Sequence, residues 1–285
     1  MNLRLTVLLL LILSACSPAQ DDPSTPPTTD ANTASDSPQT DVANLDGTET
    51  DTPARLTAGA TSLEWSAEDG SLNLSRADAV LLSVSQEDWV LGTVTTIDPT
   101  LSYDPYFYEL SEPHPLHEDA EDLVWRSCEE ILLISATESE MELQLSFSGG
   151  FAASTRIQLD AEGRYSVTWT PTENVGRVVH FRIGATVDGE EGFYGLGEYF
   201  DDVNHRGHVR PMQFEFSEVE SGYNEVHVPV PFLLGTTGWG FFAPSPYPSV
   251  FGVANKDADR VQFTVATGDK SGAGLTFHLF SEDHP

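Results

Sequence analysis

Apolar and polar residues alternate along Met141-Glu142-Leu143-Gln144-Leu145-Ser146-Phe147, and the alternation stops at Gly149-Gly150. Two further runs, 155–159 and 165–169, flank Asp160-Ala161-Glu162-Gly163. A period of two residues is typical of a half-buried β-strand, and two such runs around a short turn containing glycine indicate a β-hairpin. This part of the sequence therefore predicts antiparallel strands with one face in a core.

The same pattern fills most of the chain beyond Leu56 and recurs near its end, at 260–265 and 275–279. Helical periodicity is nearly absent. Many short strands separated by Gly, Asp, Asn and Pro predict an all-β fold, an antiparallel β-sandwich over residues 56–285. Residues 102–122 break the rhythm, since they are rich in Tyr, Pro, His and acids, and they predict a long surface excursion.

Charge narrows the choice of partners. The 285 residues include 45 acids and 13 bases, which gives a formal net charge of −32. Because a polyanion would be repelled at long range, we expect no nucleic-acid partner. No cofactor motif is evident, and we expect no cofactor.

The N-terminus has the features of an export signal. One arginine precedes an apolar run at 5–13, and Leu13-Ser14-Ala15-Cys16 resembles a bacterial lipobox. We predict a lipoprotein signal peptide at residues 1–16 with acylation at Cys16; the alternative is an ordinary signal peptide cut near the same place. Ser17, where an Asp would resemble an inner-membrane retention signal, favours the outer membrane of a bacterial cell envelope.

Residues 17–55 consist mainly of Pro, Thr, Ser, Asp and Ala and contain no aromatic residue. Such a segment buries too little apolar surface to offset chain entropy, so we predict a disordered acidic linker. With Cys16 acylated, Cys128 has no intramolecular partner, and we expect it to be a buried, unreactive thiol.

Four motifs follow one another in the C-terminal third. They are Glu191-Gly192-Phe193-Tyr194-Gly195-Leu196-Gly197-Glu198, Asn204-His205-Arg206-Gly207, the stretch from Tyr223 to Phe232 that ends in Val-Pro-Val-Pro-Phe, and Gly238-Trp239-Gly240-Phe241-Phe242. In this order and spacing they resemble the N-terminal domain of glycoside hydrolase family 31, the α-glucosidase and α-xylosidase family. The resemblance implies a mutarotase-like supersandwich for residues 56–285.

The glycines and prolines of these motifs also have a direct physical reading. Gly195 and Gly197 permit positive φ or a close approach of two backbones. Pro229 and Pro231 remove backbone donors at alternate positions, which predicts that their strand lies at an edge or a bulge. These residues are structural by default.

The resemblance also implies a substrate contact. In the family, a loop between the Arg-Gly segment and the Val-Pro-Phe strand reaches sugar with an acidic residue. The nearest match here is Glu218, with Glu215 as the alternative and Tyr223 as a nearby aromatic; Phe216-Ser217 stand where the family has Asn-Arg. The implied ligand is an α-linked glucoside or xyloside, and the competing reading is a pair of solvated glutamates.

Catalysis in this family needs two carboxyl groups about 5–5.5 Å apart, and both lie on a (β/α)8 barrel of roughly 250 residues. Only five residues follow Phe280. We therefore expect the catalytic barrel to be absent from this chain or separate, and the chain alone to be non-catalytic. Three function classes stay open: the front module of an α-glycosidase, a non-enzymatic sugar-binding lipoprotein, and a structural surface lipoprotein.

Two further constellations are weaker. His114-Pro115-Leu116-His117 and His205-Arg206-Gly207-His208 could supply metal ligands, but the proline and the arginine favour surface imidazoles. The sandwich also resembles that of aldose mutarotases, although the catalytic pair of those enzymes has no match here. A face that meets a barrel in the family predicts an exposed aromatic patch drawn from Phe193, Tyr199, Phe200, Phe232, Trp239, Phe241, Phe242 and Tyr247.

Overall fold

The computed structural model describes residues 54–101, 103–109, 120–212, 226, 228–267 and 274–282. These residues contain seventeen strands and three single-turn 3-10 helices, and all belong to one unit, Glu49–Pro285. The strands are β1 Ala54–Ala58, β2 Thr61–Ser66, β3 Ser71–Arg76, β4 Ala79–Val84, β5 Trp89–Thr93, β6 Val124–Ala136, β7 Glu140–Phe147, β8 Phe151–Leu159, β9 Tyr165–Glu173, β10 Val178–Thr186, β11 Phe193–Gly197, β12 His208–Pro211, β13 Pro229–Gly235, β14 Trp239–Phe242, β15 Ser249–Val253, β16 Arg260–Ala266 and β17 Leu275–Ser281. The 3-10 helices are Gln86–Asp88, Phe107–Glu109 and Val175–Arg177.

The strands form two antiparallel sheets. In the first sheet, β10 lies between β16 and the pair β4 and β5; β16 continues to β15 and β12, and β4 continues to β3, β2 and β1. The second sheet has the order β6-β7-β8-β9-β17-β14-β13-β11. Strand β6 belongs to both sheets, since it pairs with β5 over 124–127 and with β7 over 128–136. The predicted antiparallel β-sandwich is confirmed.

The alternating run at 141–147 becomes β7, whose apolar side chains are buried and whose polar side chains point outward. The predicted hairpin is β8–β9, in which Leu159 pairs with Tyr165. Its turn is closed by Asp160, whose carboxylate accepts the backbone N–H groups of Glu162 at 3.1 Å and Arg164 at 2.9 Å. An Asp side chain commonly stabilises a turn in this way.

Aromatic side chains fill the space between the sheets. Trp169 contacts Trp89 edge-on at a ring-centroid distance of 5.2 Å and Phe181 at 4.8 Å. All three rings are buried. Edge-to-face pairs at these distances are favourable beyond the burial of their surface.

The structure corrects the predicted aromatic patch. Phe193, Trp239 and Phe241 are buried in the core, because they lie on the inner faces of β11 and β14. Tyr199 and Tyr247 are half-buried and pack against that core. Of the remaining residues in the predicted patch, Phe200 is 67% exposed, while Phe232 and Phe242 are half-buried.

Residues 103–109 correct the predicted surface excursion, because Asp104, Tyr106 and Glu109 are buried. The carboxylate of Glu109 accepts hydrogen bonds from Arg182 Nη2 at 2.5 Å, Lys256 Nζ at 2.7 Å and Gln262 Nε2 at 3.0 Å. Arg182 lies on β10, Lys256 in the loop that follows β15, and Gln262 on β16. The carboxylate therefore fastens the segment onto the first sheet.

Beside this ion pair, His180 of β10 lies in an aromatic enclosure. Its ring stacks on Trp125 at 5.1 Å and contacts Tyr108 edge-on at 5.4 Å. His180 Nε2 donates to the carbonyl oxygen of Tyr103 at 2.7 Å. The Arg182 guanidinium lies 3.6 Å from the ring centre of Trp125.

Cys128 is a free, buried thiol, as predicted, and burial raises its pKa to about 11. The first strand begins at Ala54, two residues before the predicted start of the domain. Within the described residues, no helix combines the length and apolar character needed to cross a membrane.

Candidate functional site

The four motifs lie side by side in the sandwich. The first forms β11 and the second the loop before β12, while the Val-Pro-Val-Pro-Phe stretch enters β13 and the Gly-Trp-Gly segment forms β14. Strand β13 lies between β11 and β14. Three of the motifs therefore form one end of the second sheet, and the loop motif is joined to β11 by the hydrogen bond from the His205 backbone N–H to the carbonyl oxygen of Phe193 at 2.8 Å.

Backbone crowding explains the two motif glycines. Gly195 and Gly197 have φ values of +102° and +96°, and the β11–β13 register shifts between them. A Cβ atom on Gly197 would overlap the carbonyl oxygen of Val228, and one on Gly195 would overlap that of Phe232. Glycine is required here by both conformation and close approach.

The prolines of β13 occupy the same irregularity. Pro229 is the first residue of the strand and pairs with Gly197, and Pro231 lies between the two ends of the register shift. The prediction of a bulge is confirmed. From Phe232 onward β14 pairs with the other side of β13, so that part of the strand is not an edge.

The first acid of the motif is a structural anchor. Glu191 is buried, and its carboxylate accepts the backbone N–H of Thr237 at 3.2 Å, the hydroxyl of Thr237 at 2.8 Å and the indole N–H of Trp239 at 3.1 Å. These bonds join the start of β11 to the β13–β14 turn. With three donors satisfied in a buried position, this carboxylate is committed to the fold.

A polar cluster follows β11 and consists of Tyr199, Asp201, His205 and Arg210. Arg210 Nη1 donates to Asp201 Oδ2 at 2.8 Å, and Arg210 Nε donates to His205 Nδ1 at 3.1 Å. The guanidinium lies 4.3 Å from the ring centre of Tyr199, whose hydroxyl donates to the carbonyl oxygen of Pro211 at 2.7 Å. Arg210 is the centre of this cluster.

The hydrogen bonds determine the state of His205. Its Nε2 lies 2.8 Å from the carbonyl oxygen of Gly195, which can only accept, so Nε2 carries the proton and Nδ1 accepts from Arg210. Burial lowers the pKa of His205, which favours the same neutral imidazole. The hydrogen bond from Arg210 lowers the pKa of Asp201, so this carboxylate is ionised at neutral pH.

The side chains of this cluster hold one another in place, and its one carboxylate, that of Asp201, lacks the properties of a catalytic acid. A glycosidase acid needs a raised pKa, whereas the pKa of Asp201 is lowered. Both nitrogens of His205 are already engaged. Arg210 Nη2 is buried and has no hydrogen-bond partner among the described residues.

In the sequence, the cluster directly precedes the segment predicted to contact sugar. Met212 and Val226 are the described residues on either side of 213–225, and both are buried. The candidate contacts Glu215, Glu218 and Tyr223 lie outside the described residues, as does the predicted acylation site Cys16. Their roles stay predictions.

The predicted histidine pairs have separate outcomes. His114 and His117 lie outside the described residues. In the second pair, His205 is buried, so the expectation of a surface imidazole is wrong for it; His208 is partly exposed, with Nδ1 3.8 Å from Asp201 Oδ2. Across the part of the chain that the structure describes, no three His, Cys, Asp or Glu residues gather as a metal site.

Sequence reasoning missed Tyr199, Asp201 and Arg210 as one unit, and it missed Glu109 with Arg182. Short sequence distance was a usable signal for the first cluster, since Tyr199 and Pro211 bracket all of it. Glu109 and Arg182 are 73 residues apart, so no local pattern joins them.

Comparison with known proteins returns carbohydrate-active enzymes. Over 89 residues the chain is 28% identical to an isomaltosyltransferase of Sporosarcina globispora, a match that covers 31% of this chain and 8% of that protein. Similar solved structures include a GH31 sulfoquinovosidase from E. rectale in complex with an aza-sugar inhibitor, with 14% identity, a TM-score of 0.49, and coverage of 76% of this chain and 32% of that chain. The chain resembles family 31 enzymes. The resemblance predicted from the four motifs is confirmed.

A cycloalternan-forming enzyme from Listeria monocytogenes, in complex with a pentasaccharide substrate, is 18% identical with a TM-score of 0.36, and the match covers 78% of this chain and 23% of that chain. A Flavobacterium johnsoniae GH31 dextranase is 12% identical with a TM-score of 0.32, and the match covers 81% of this chain and 26% of that chain. The chain thus spans about a third or less of these relatives. No protein-family model matches it.

Proposed function

We propose that this chain is the N-terminal, carbohydrate-associated sandwich of an exported α-glycosidase-type lipoprotein, and that it is non-catalytic by itself. The observation that carries the proposal is the placement of three of the four motifs on the adjacent strands β11, β13 and β14, with the remaining motif in a loop that is hydrogen-bonded to β11.

The proposed ligand is an α-linked glucoside or xyloside, contacted by Glu218 or Glu215 and by Tyr223. The sequence match to an isomaltosyltransferase supports this ligand class. The reacting carboxylates would come from a (β/α)8 barrel, either farther along a longer polypeptide or on a separate one. A retaining reaction needs a nucleophile and an acid held about 5–5.5 Å apart.

Anchoring is a further part of the proposal. An acylated Cys16 and the linker at 17–55 would hold the sandwich on the outer membrane. The alternative function is a non-enzymatic sugar-binding or structural surface lipoprotein. The buried Arg210 donor, which has no hydrogen-bond partner among the described residues, favours ligand binding over a purely structural role.

The test combines binding and turnover. Isomaltotriose is titrated into the full chain and followed by NMR, and we expect weak binding that falls at least fivefold in Glu218→Gln and is unchanged in Glu142→Ala, an outward-facing control on β7. Aryl α-glucosides and α-xylosides should show no hydrolysis above buffer. Turnover that disappears in Glu218→Gln would overturn the proposal by placing the catalytic site in the sandwich.

A further inference from the structure

The free edge of the second sheet carries apolar side chains on both of its faces. Over 128–136, β6 pairs with β7 alone among the described strands, so one side of its backbone has no strand partner. Leu132, Leu133 and Ile134 are 49%, 41% and 57% exposed. Exposed apolar edges are uncommon because they promote pairing with other chains.

The register shows where an added strand would fit. Glu130, Ile131, Leu132 and Leu133 pair in unbroken order with Ser146 to Leu143 of β7. Ile131 and Leu133 lie opposite the buried Leu145 and Leu143, at the rim of the core, and Leu132 lies opposite Gln144 on the outer face. Another strand beside β6 would therefore extend the core on one face and cover Leu132 on the other.

Two of the usual protections of an edge are missing over this part of β6, although two bulges and the charges of Glu129 and Glu130 are present. It contains no lysine and no proline, and the bulge between Leu133 and Ser135 leaves Ile134 exposed. Gln86 covers the strand at one end, where its side-chain amide donates to the carbonyl oxygen of Glu129 at 2.7 Å. Beyond Glu130, β7 is the one described strand that pairs with β6.

Charge indicates the chemistry of the partner. Glu129 and Glu130 at one end and Glu138 at the other are exposed, and no described basic side chain pairs with them. A second copy of the chain would bring the same glutamates to the same short interface and adds a charge of −32. A strand with basic residues at both ends would instead complement both acidic ends.

We propose that the open edge of β6 is a docking site for a strand of another polypeptide that is apolar at its centre and basic at both ends. It would bind by β-strand addition, in which backbone hydrogen bonds supply affinity and the side chains supply selectivity. The site lies at the opposite edge of the second sheet from β11, the strand to which His205 of the Arg210 cluster is hydrogen-bonded.

The experiment uses the full chain and a labelled synthetic peptide of alternating valine and threonine with two lysines at each end, followed by fluorescence anisotropy at low salt. We expect saturable binding. A glutamate-ended peptide should bind at least tenfold more weakly, and so should a lysine-ended peptide with alternate backbone nitrogens methylated, because it cannot complete the strand pairing.

Two variants of the chain complete the test. Leu132→Lys/Ile134→Lys should weaken binding at least tenfold, and Glu129→Lys/Glu138→Lys should reverse the preference toward the glutamate-ended peptide; unchanged circular dichroism verifies that each variant is folded. Failure of the lysine-ended peptide to bind, or indifference to methylation or charge reversal, would overturn the proposal. Sedimentation that reveals a dimer abolished by Leu132→Lys/Ile134→Lys would assign the edge to a second copy and also overturn it.

Discussion

Removing the Glu109 carboxylate should destabilise the sandwich more than any exposed acid does. In the wild type the side chain of Arg182 is 16% exposed and that of Glu109 is 2% exposed. In Glu109→Ala, Arg182 therefore stays buried without its anion. Breaking a buried ion pair by deleting one partner costs about 3–5 kcal/mol. Lys256 is 63% exposed, so its share of the interaction is about 1 kcal/mol or less.

The assay is equilibrium unfolding in urea, followed by tryptophan fluorescence, on the full chain made by cell-free synthesis. With an m value of about 2 kcal/mol per molar urea, the midpoint for Glu109→Ala should fall by about 2 M. The midpoint for Lys256→Ala should fall by about 0.5 M or less. Glu109→Gln keeps the volume and an acceptor but loses the charge, so its midpoint should lie between those of wild type and Glu109→Ala.

Trp125 reports on the same site, because the Arg182 guanidinium lies against its ring. Glu142→Ala is the surface control. The reasoning would be refuted if the urea midpoints of Glu109→Ala and Glu142→Ala differed by less than about 0.5 M, which is about 1 kcal/mol at that m value. It would mean that water solvates Arg182 fully once the carboxylate is gone.

Three other predictions concern single residues. Burial lowers the pKa of His180 to about 4, below the usual 6.5, so the unfolded chain takes up the proton before the folded chain does. The free energy of unfolding should therefore fall by up to about 3 kcal/mol as the pH drops from about 6.5 to 4. Urea titrations across this range should show a smaller loss in His180→Phe, and an equal loss would contradict the assignment. In Cys16→Ala, Cys128 of the folded chain should react with a disulfide reagent at pH 8 about 100-fold more slowly than a free thiol does. Unfolding in urea should remove this difference. Fast reaction of the folded chain would show that the thiol is accessible. Radiolabelled fatty acid should be incorporated into wild type and not into Cys16→Ala, whereas equal labelling would exclude acylation at this position.

Much of the fold was predictable because strands with one buried face have a local signature. Alternation at 141–147 and the turn residues at Asp160-Ala161-Glu162-Gly163 depend only on near neighbours, and both became the predicted elements. Gly195 and Gly197 indicated backbone with positive φ for the same reason.

The family resemblance also came from the sequence, through four short motifs, and so did the net charge of −32, from which the absence of a nucleic-acid partner is still a prediction. The tertiary structure decided matters that depend on distant residues. Alternation divides a strand into two faces but does not say which of them the opposite sheet covers. For this reason Phe241 is in the core while the adjacent Phe242 is half-buried on the outer face.

The same limit applies to polar residues. Glu109 looked like part of a solvated loop until Arg182, Lys256 and Gln262, which lie 73 to 153 residues away along the chain, supplied its partners. His205 looked like a surface imidazole until Arg210 and the Gly195 carbonyl enclosed it. Local patterns determine strands and turns, whereas burial of a particular side chain is determined by strand pairing across the whole chain, which no short stretch of sequence contains.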